Sequence, residues 1–340
     1  MSGPHHATGT GLEERLRRAA GAKRFRVVLP EGGDGRVLTA AVALARLGFV
    51  RPVVLGEPMA VQALAGGLGL ALDGVEVLDP KAPGPLDRLA AAQARRRPDT
   101  AEAVARRMAR KPLFHAGMML AEGEADAMVA GATCTTARVL EAAMLTIGLA
   151  DGVGTASSCF LMSVPASPGG SARTLVFADC AVNVQPDAEA LADIGIASAE
   201  SLRVLVGEEP AVAFLSFSTH GSARHAAAER IRAAAGIARQ RRPDLAIDGE
   251  LQVDAALSPR AAALKLGDPG PVAGRANVLV FPDLDAANIG YKLVQYLAGA
   301  EAHGPLLQGF ARPVADLSRG ASVRDIVQTA LLTLCRVVSP

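Results

Sequence analysis

The chain has 340 residues, a length that usually divides into two domains, and half of these residues are hydrophobic while a fifth are charged. That balance is typical of a folded globular protein and excludes a largely disordered one. The net charge of +1 gives no reason to expect nucleic acid or an anionic membrane as a partner. An anionic ligand would need positive charge gathered locally.

Cysteine usage and hydropathy indicate the setting in which the protein works. The cysteines are too few for a disulfide framework and lack metal-site spacing; they are Cys134, Cys159, Cys180 and Cys335. No stretch reaches ~18 apolar residues without a charge or a glycine, so no membrane span is predicted. The chain does not open on a basic and then apolar leader. We therefore expect a cytoplasmic protein.

Strand and helix signals alternate from the start of the chain. A helix is expected over residues 12–20, a buried strand over 26–30, a helix over 36–47 and a second strand over 52–55. Strand, helix and strand within ~30 residues form a βαβ unit. Such a unit implies a parallel sheet with right-handed crossovers.

The same alternation continues to the end of the chain, and the predicted fold class is α/β. Further strands are predicted at 75–78, 125–131, 156–162, 174–178, 211–216, 246–247 and 278–281. Further helices are predicted at 85–96, 100–109, 135–147, 188–206, 223–239 and 286–297. Glycine-bearing stretches at 148–154 and 299–309 are candidate hinges. They predict a first domain of residues 1–150 plus 302–340 and a second of 151–301.

Four turn-like segments concentrate glycine, charge and hydroxyls near strand ends, where ligands bind in open α/β sheets. In the first, residues 30–36, the glycines suit either an ordinary turn or an anion contact at a helix start. The second offers Thr133, Thr135 and Thr136 beside Gly131. These threonines fit a phosphate site and a helix N-cap equally well.

The third segment carries more hydroxyls than a helix cap needs, in Ser216, Ser218, Thr219 and Ser222. That surplus favours ligand binding. His220 lies among them but has no visible partner in the sequence, and we interpret it as a bystander.

The fourth segment places Ser318 and Arg319 at a glycine turn, where a guanidinium fork could hold a phosphate or a carbonyl oxygen. Asp325 follows seven residues after Ser318, and two helical turns could return it to the same side. Ser322 is the expected N-cap of the last helix. Asp325 therefore also fits as a first-turn acid favoured by the helix dipole, and both interpretations stay open.

Taken together and in order, these segments resemble the phosphate acetyltransferase and butyryltransferase family, from about Arg26 to the C-terminus. The motifs that carry the resemblance are LPEG at 29–32, Asp126 with Gly131, FADCAVN at 177–183, LSFST at 215–219, IDGELQ at 247–252, NIGYK at 288–292, Gly304-Pro305 with LQG at 307–309, and DLSRG at 316–320.

The resemblance implies two three-layer α/β/α domains with mainly parallel sheets, an active site in the cleft between them and a homodimer. It implies coenzyme A and acetyl phosphate or phosphate as substrates, with no metal or redox cofactor. Asp325 would take the proton of the coenzyme A thiol, a poor nucleophile at neutral pH with its pKa of ~8.5. Arg319 and Ser318 would orient the acyl phosphate and stabilise the oxyanion.

Anion contacts are expected from hydroxyls and from two basic positions, where the chain departs from the family pattern. The expected substrate-binding residues are Thr133, Thr135, Arg138, Ser216, Ser218, Thr219, Arg95 and Arg96. The family pattern has an arginine where this chain has Glu141, and Arg138, one turn earlier, could replace it. The basic run 95–97 matches without a fixed register, and a solvated helix end remains an alternative for it.

Three alternatives remain within the sequence reading. A butyryl- or other short-chain acyltransferase differs from an acetyltransferase only in the volume of its acyl pocket, which one sequence does not define. A non-catalytic acyl-CoA-sensing module is disfavoured by the presence of Ser318, Arg319 and Asp325 and mildly favoured by Glu141. A dehydrogenase on a similar fold is disfavoured because the chain has no dinucleotide-binding fingerprint.

Overall fold

The computed structural model of the chain describes residues 9–166 and 171–338. These residues form two compact units: the first contains the chain up to Ala150 and again from Phe310, and the second runs from Asp151 to Gly309. The sequence interpretation placed the return to the first unit at residue 302. In the structure residues 301–308 form a strand that pairs within the second unit, and the return begins at Phe310.

The described residues alternate between helix and strand along the chain, as an α/β protein does. The strands are β1 (Phe25–Leu29), β2 (Val50–Leu55), β3 (Glu76–Leu78), β4 (Ala127–Ala130), β5 (Ser157–Val164), β6 (Arg173–Ala178), β7 (Ala211–Leu215), β8 (Ala246–Leu251), β9 (Val278–Val280), β10 (Glu301–Gln308) and β11 (Val314–Asp316). The helices are α1 (Gly9–Ala20), α2 (Gly35–Arg46), α3 (Pro58–Gly67), α4 (Pro83–Arg96), α5 (Glu102–Ala109), α6 (Pro112–Ala121), α7 (Thr136–Thr146), α8 (Ala188–Val206), α9 (Ala226–Arg241), α10 (Val253–Leu257), α11 (Pro259–Leu266), α12 (Leu284–Ala298) and α13 (Val323–Val338).

The first unit is built on strands in the order β3-β2-β1-β4-β11, and each pairing among them is parallel. The central strands have both faces covered by helices, so β4 is buried at every position and β1 at all but Arg26. This pattern is typical of a parallel sheet. Helix α13 packs against β4 and against α2, and it buries an apolar face between them. The sheet and helices thus give the α/β class that the sequence predicts.

Three loops meet at the carboxyl ends of neighbouring strands in this unit. Because β1, β4 and β11 run in parallel, the loops that follow them emerge on one edge of the sheet. Gly131 begins the loop after β4 and adopts a φ of +110°. A Cβ at this position would lie 2.2 Å from Oδ1 of Asp316 and 2.7 Å from the backbone nitrogen of Leu317. Glycine is therefore required where the two loops approach each other.

The second unit contains strands in the order β10-β5-β6-β9-β7-β8. Strand β5 pairs antiparallel with β10 and β6, whereas the pairings from β6 through β9 and β7 to β8 are parallel. The loop with residues 216–222 leaves the carboxyl end of β7, next to that of β8. The mainly parallel sheets that the sequence predicted are therefore present.

Six elements of the structure were not predicted from the sequence, namely α3, α6, α10, α11, β10 and β11. Helix α6 has the sequence PLFHAGMMLA and is buried over most of its length, so it lacks the polar face that makes a helical period visible. Strand β10 carries Gly304 and Pro305, which suggested a hinge, and its register with β5 shifts at that point. No helix in the described ranges has the length and apolar character needed to cross a bilayer.

Candidate active site

The turn after β11 presents two hydrogen-bond donors to solvent. Ser318, Arg319 and Gly320 are exposed, and the Ser318 Oγ accepts a hydrogen bond from the backbone N–H of Gly320 at 3.2 Å. That bond uses Ser318 as an acceptor and leaves its hydroxyl hydrogen available. The Arg319 guanidinium makes no hydrogen bond or ion pair with any other residue that the structure describes. The sequence-predicted pair is therefore placed side by side with its donors free.

Asp325 occupies the third position of α13 and closes a capping box. The backbone N–H and the hydroxyl of Ser322 donate to Asp325 Oδ2 at 2.9 Å and 2.8 Å, and the Asp325 N–H donates back to the Ser322 Oγ at 3.2 Å. The prediction that Ser322 is the N-cap is confirmed. The cap uses one carboxylate oxygen, and the exposed carboxylate keeps Oδ1 for other work. The structural and chemical interpretations of Asp325 are therefore compatible.

Glu31 occupies the donors of the loop after β4. Its Oε2 accepts from the N–H groups of Gly131 and Ala132 at 2.9 Å and 2.8 Å. Its Oε1 accepts from the N–H and the hydroxyl of Thr133 at 2.7 Å and 2.8 Å. Thr133, which the sequence offers as a substrate contact, has no donor left over. Here a carboxylate of the chain fills the place in which the sequence suggested a bound phosphate.

Beyond Thr133, the start of helix α7 has hydrogen-bond donors that no described residue uses. Thr135 is exposed and stands at the N-cap, but its side chain makes no capping hydrogen bond. Its hydroxyl and the N–H groups of Thr136 and Ala137 donate to no described residue, at a helix end where the dipole favours an anion. Thr136 behaves differently, because its hydroxyl donates to Asp316 Oδ2.

Arg138 pairs with the residue that departs from the family pattern. Its Nη1 lies 2.6 Å from Oε2 of Glu141, one turn further along α7, and both side chains are about half exposed. Glu141 thus removes an expected cation and also supplies a counter-ion to the arginine nearest to it. The two residues do share a helix face, as their spacing predicts.

The three arginines at the end of α4, residues 95–97, differ in the contacts that they make. Arg96 donates to the carbonyl of Thr146 and to Gln93 Oε1, and Arg97 donates to the carbonyl of Met144 at 2.8 Å. Both thereby satisfy carbonyls at the end of α7. Arg95 is exposed and makes no such bond within the described ranges. In this run, Arg95 is the cation whose guanidinium is available to a ligand.

In the second unit, the hydroxyls of the loop after β7 are mostly used internally. Ser218 is fully buried and donates to Oε1 of Glu250 at 2.7 Å, and Thr219 exchanges hydrogen bonds with Gln252. Ser216 accepts from the Ser218 N–H at 3.2 Å and keeps its hydroxyl hydrogen. The surplus of hydroxyls that favoured ligand binding therefore largely maintains the shape of the loop.

Glu250 is the centre of that internal network. Burial raises its pKa, but hydrogen bonds from Arg232, Ser218 and the Gly221 N–H outweigh that effect and lower the pKa to about 2. The carboxylate is thus ionised, and the Arg232 Nε lies 2.8 Å from it. His220 in the same loop has a partner that the sequence did not reveal, since its Nε2 lies 3.1 Å from Oδ1 of Asp248.

Asp316 is a buried carboxyl group that the sequence singled out only as part of a motif. It is 1% exposed, and its Oδ1 has no hydrogen-bond partner among the described residues. Burial raises the pKa of Asp316 to about 6, although the Thr136 hydroxyl partly opposes this. The only signal for it in the sequence is an aspartate at the end of an apolar strand.

Three of the cysteines, Cys134, Cys180 and Cys335, offer no activated thiol. Burial, with a further contribution from the nearby Glu31, raises the pKa of Cys134 to about 12, and burial also raises the pKa of Cys180 and Cys335. A raised pKa keeps these groups protonated, so they are unsuited to nucleophilic attack. In the described part of the chain, no group of three or more His, Cys, Asp or Glu side chains is placed to hold a metal ion.

A cavity of about 330 Å³ opens beside the loop after β4. It is lined by Pro30, Glu31, Lys111, Pro112, Leu113, Phe114, Thr133, Cys134 and Arg138. The lining combines apolar surface with two cations, which suits an amphipathic anionic ligand. A larger depression of about 600 Å³ lies near the amino ends of β1 to β3, and none of the predicted site residues line it.

A parallel α/β unit that presents a free guanidinium, a hydroxyl and a carboxylate at the carboxyl edge of its sheet has the features of an enzyme that acts on a small anionic substrate. The family described as phosphate acetyl/butaryl transferase matches residues 12–334. The chain belongs to this family and is an acyltransferase.

Its relatives match over nearly their whole lengths. The phosphate acetyltransferase of Treponema pallidum is 46% identical over 332 residues, covering 96% of this chain and 98% of that protein. The phosphate acetyltransferase of Acetivibrio thermocellus is 43% identical over 324 residues, covering 95% and 96%. A solved phosphotransacetylase from Streptococcus pyogenes is 39% identical, with a TM-score of 0.89 over 96% of this chain and 98% of that one.

Replacing Asp316 by asparagine tests the cost of the buried carboxylate. Its folded-state pKa of about 6 lies above the ordinary value of 3.8, so the folded state holds the proton more tightly than the unfolded state. Asp316 therefore lowers the free energy of unfolding progressively as the pH rises from about 4 to about 6. At roughly 1.4 kcal/mol per pKa unit, the wild type should lose about 2 kcal/mol relative to Asp316→Asn between pH 4.5 and pH 7.

Urea unfolding of both proteins at the two pH values measures this difference. Asparagine can still accept the Thr136 hydroxyl, so the packing is preserved. The exposed Asp73, replaced in the same way, serves as the control and should show no such change. A stability difference between wild type and Asp316→Asn that is equal at both pH values would contradict the assignment.

Proposed function

We propose that this chain is a phosphate acetyltransferase, which transfers an acetyl group reversibly between coenzyme A and inorganic phosphate. The observation that carries the proposal is the segment from Ser318 to Asp325. Among the residues that the structure describes, it offers a free hydroxyl hydrogen, an unpaired guanidinium and a carboxylate with one free oxygen, within the turn after β11 and the first turn of α13. The names of the full-length relatives support the same activity.

In the proposed mechanism, Asp325 accepts the thiol proton of coenzyme A through its free oxygen. The thiolate then attacks the carbonyl carbon of acetyl phosphate, and the carbonyl oxygen takes up the negative charge. Arg319 and Ser318 donate to that oxygen; one such donor typically lowers the barrier by ~3–4 kcal/mol. The bond between the carbonyl carbon and the phosphate oxygen breaks, and the thioester remains. The leaving phosphate takes up the proton that Asp325 removed from the thiol, which returns Asp325 to its ionised form. In reverse, phosphate attacks the thioester, and no covalent enzyme intermediate is needed.

Binding of the anionic substrates is assigned to groups with free donors. Arg95 and Thr135 with the start of α7 meet this requirement in the first unit, and Ser216 keeps a free hydroxyl hydrogen in the second. Arg138 pairs with Glu141 through Nη1 and can offer only its remaining donors. Thr133, Ser218 and Thr219 are proposed to act by holding their loops in shape, because their donors are used within the chain. Arg96 is proposed to act in the same way, because its Nη2 donates to Gln93 and to the carbonyl of Thr146.

The proposed setting is the cytoplasm, with coenzyme A as a substrate and no metal or redox cofactor. We also propose that the chain works as a homodimer, and helix α12 supports this. Four large apolar side chains on one face of α12 are more than half exposed: Ile289, Leu293, Tyr296 and Leu297. An apolar stripe of this kind marks a protein–protein contact, and a second copy of the chain is the partner.

Asp325→Asn tests the proposed base. The amide can still accept the Ser322 N–H, so the helix cap is retained, but it cannot take up a proton. With acetyl phosphate and coenzyme A, thioester absorbance should show wild-type turnover and a fall in kcat of at least about 100-fold in the variant. Ser322→Ala is the matched control, because it removes a capping hydroxyl and keeps the carboxylate. It should cost about 1 kcal/mol of stability and only a few-fold in rate.

Equal losses of rate in Asp325→Asn and Ser322→Ala would show that Asp325 acts only as a helix cap. A wild-type chain that binds acetyl-CoA without turning it over would favour the sensing module over the enzyme.

Arg138 and Glu141 give a paired test of anion binding. Arg138→Ala should raise the KM for acetyl phosphate by about 3- to 10-fold, because a cation is lost. Glu141→Gln should lower that KM, because it frees the guanidinium that Glu141 holds at 2.6 Å. Exposed pairs contribute little to stability, so thermal unfolding should hardly change. The exposed pair Arg18–Glu14 on α1 supplies the control, as Glu14→Gln. Unchanged KM values in both Arg138→Ala and Glu141→Gln would rule out a role for Arg138.

The homodimer is tested by introducing charge on the apolar face of α12. The double variant Tyr296→Glu and Leu297→Glu should elute as a monomer, with light scattering reporting 34.8 kDa where the wild type gives twice that mass. Met59→Glu, at an exposed apolar residue of α3, is the control and should leave the mass unchanged. A wild-type monomer, or a double variant that still dimerises, would contradict this interface.

A further inference from the structure

Residues 31–36, which follow β1 and include the first two residues of α2, have no role in the chemistry proposed above. The sequence left it open as an ordinary turn or as an anion contact. The structure supports neither interpretation as it stands, because Glu31 and Arg36 both form several long-range hydrogen bonds with backbone groups. All of these partners lie in the loops after β4 and β11.

Arg36 uses every donor that its side chain has. Nε and one Nη2 hydrogen donate to the two oxygens of Asp34, at 3.1 Å and 2.8 Å. Nη1 donates to the carbonyl oxygens of Arg319 and Ala321, at 2.8 Å and 2.9 Å. Nη2 also donates to the carbonyl of Ala132 at 3.0 Å. A guanidinium has five N–H donors. None is left for a phosphate or a carbonyl of a substrate.

The two carbonyls that Arg36 holds on β11's loop flank Gly320. These two hydrogen bonds hold the backbone of the turn in place. They therefore also fix the direction in which the side chains of Ser318 and Arg319 project. Glu31 adds a second set of bonds, because it binds the N–H groups of residues 131–133, while Arg36 binds the carbonyl of Ala132. One short segment therefore ties the two loops that precede α7 and α13.

We propose that Arg36 is a positioning residue for the acetyl transfer: it holds the backbone of the 318–321 turn so that Ser318 and Arg319 face the reacting carbonyl, without touching the substrate itself. This inference rests on the proposed function. Asp34 is part of the device, because its carboxylate also accepts the N–H groups of Arg36 and Val37 and thereby caps α2. The Asp34 carboxylate thus orients the Arg36 guanidinium from the N-terminus of α2, the helix to which Arg36 belongs.

This geometry predicts an effect on turnover more than on binding. Misplaced oxyanion donors stabilise the transition state less, and kcat falls. The groups proposed to bind the anionic substrates lie elsewhere, at Arg95, Thr135 and Arg138, so KM should change little. A lysine cannot replace Arg36, because an ammonium group has three donors from a single point and lacks the planar fork.

The test compares Arg36→Gln, Arg36→Lys and Arg36→Ala with the wild type in the thioester assay. Arg36→Gln and Arg36→Lys should lower kcat by about 100-fold or more and change the KM for coenzyme A and acetyl phosphate by less than about 3-fold. Added guanidinium ion should restore kcat of Arg36→Ala at least 10-fold. Arg18→Gln, in the exposed pair with Glu14, is the matched control and should behave as wild type. A rise in KM with kcat intact would instead mean that Arg36 contacts the substrate, and would overturn the proposal, as would unchanged kinetics.

Amide hydrogen exchange gives a second measurement that does not depend on turnover. In Arg36→Gln, peptides that cover residues 131–133 and 317–322 should exchange at least 10-fold faster than in the wild type, while peptides from β1 and β2 should be unchanged. Unaltered exchange in residues 317–322 would overturn the proposal that Arg36 holds this turn, even if the wild type fails to form a thioester. Failure of the wild-type assay alone would contradict the proposed acetyl transfer, but not the proposal that Arg36 holds the turn.

Discussion

The parallel pairing of β1, β4 and β11 is the constraint on which the candidate site depends. Their shared direction brings three loops, far apart in the sequence, to one edge of the first unit. Alone, each loop would have too few contacts to hold a single conformation. Glu31 and Arg36 supply what is missing by satisfying backbone groups of the other two loops. The sheet sets the positions, and these two charged side chains set the fine geometry.

Charge in this unit is divided between groups that build the site and groups that remain open. Glu31, Arg36 and Arg96 each form hydrogen bonds with backbone atoms of other segments. Arg95 and Arg319 have no such partners in the described ranges. An arginine whose donors are all satisfied is a structural part, whereas one that is exposed and unpaired can bind an anion. This distinction assigns roles that residue type alone leaves ambiguous.

The sequence was sufficient for the α/β class, for most of the helices and strands, and for the motif around Ser318. These features depend on local periodicity and turn chemistry, which a single sequence records. It was insufficient for contacts between distant segments: Arg36 meets Arg319 across 283 positions, and Ser218 meets Glu250 across 32. The hydroxyls after β7 suggested a ligand because the sequence does not show that Ser218 donates to Glu250 and Thr219 to Gln252. Asp316 was overlooked as an acid for the same reason, since its raised pKa comes from burial.

The first unit is discontinuous, and this has a consequence for synthesis of the chain. Strand β11 and helix α13 belong to that unit but lie after Phe310, whereas the second unit is encoded without interruption between Asp151 and Gly309. During translation the second unit has all its strands available while the first still lacks one strand and its last helix. Ser318, Arg319 and Asp325 emerge from the ribosome only after the whole second unit, so a product truncated before residue 318 would carry most of the scaffold of the enzyme without its proposed chemistry.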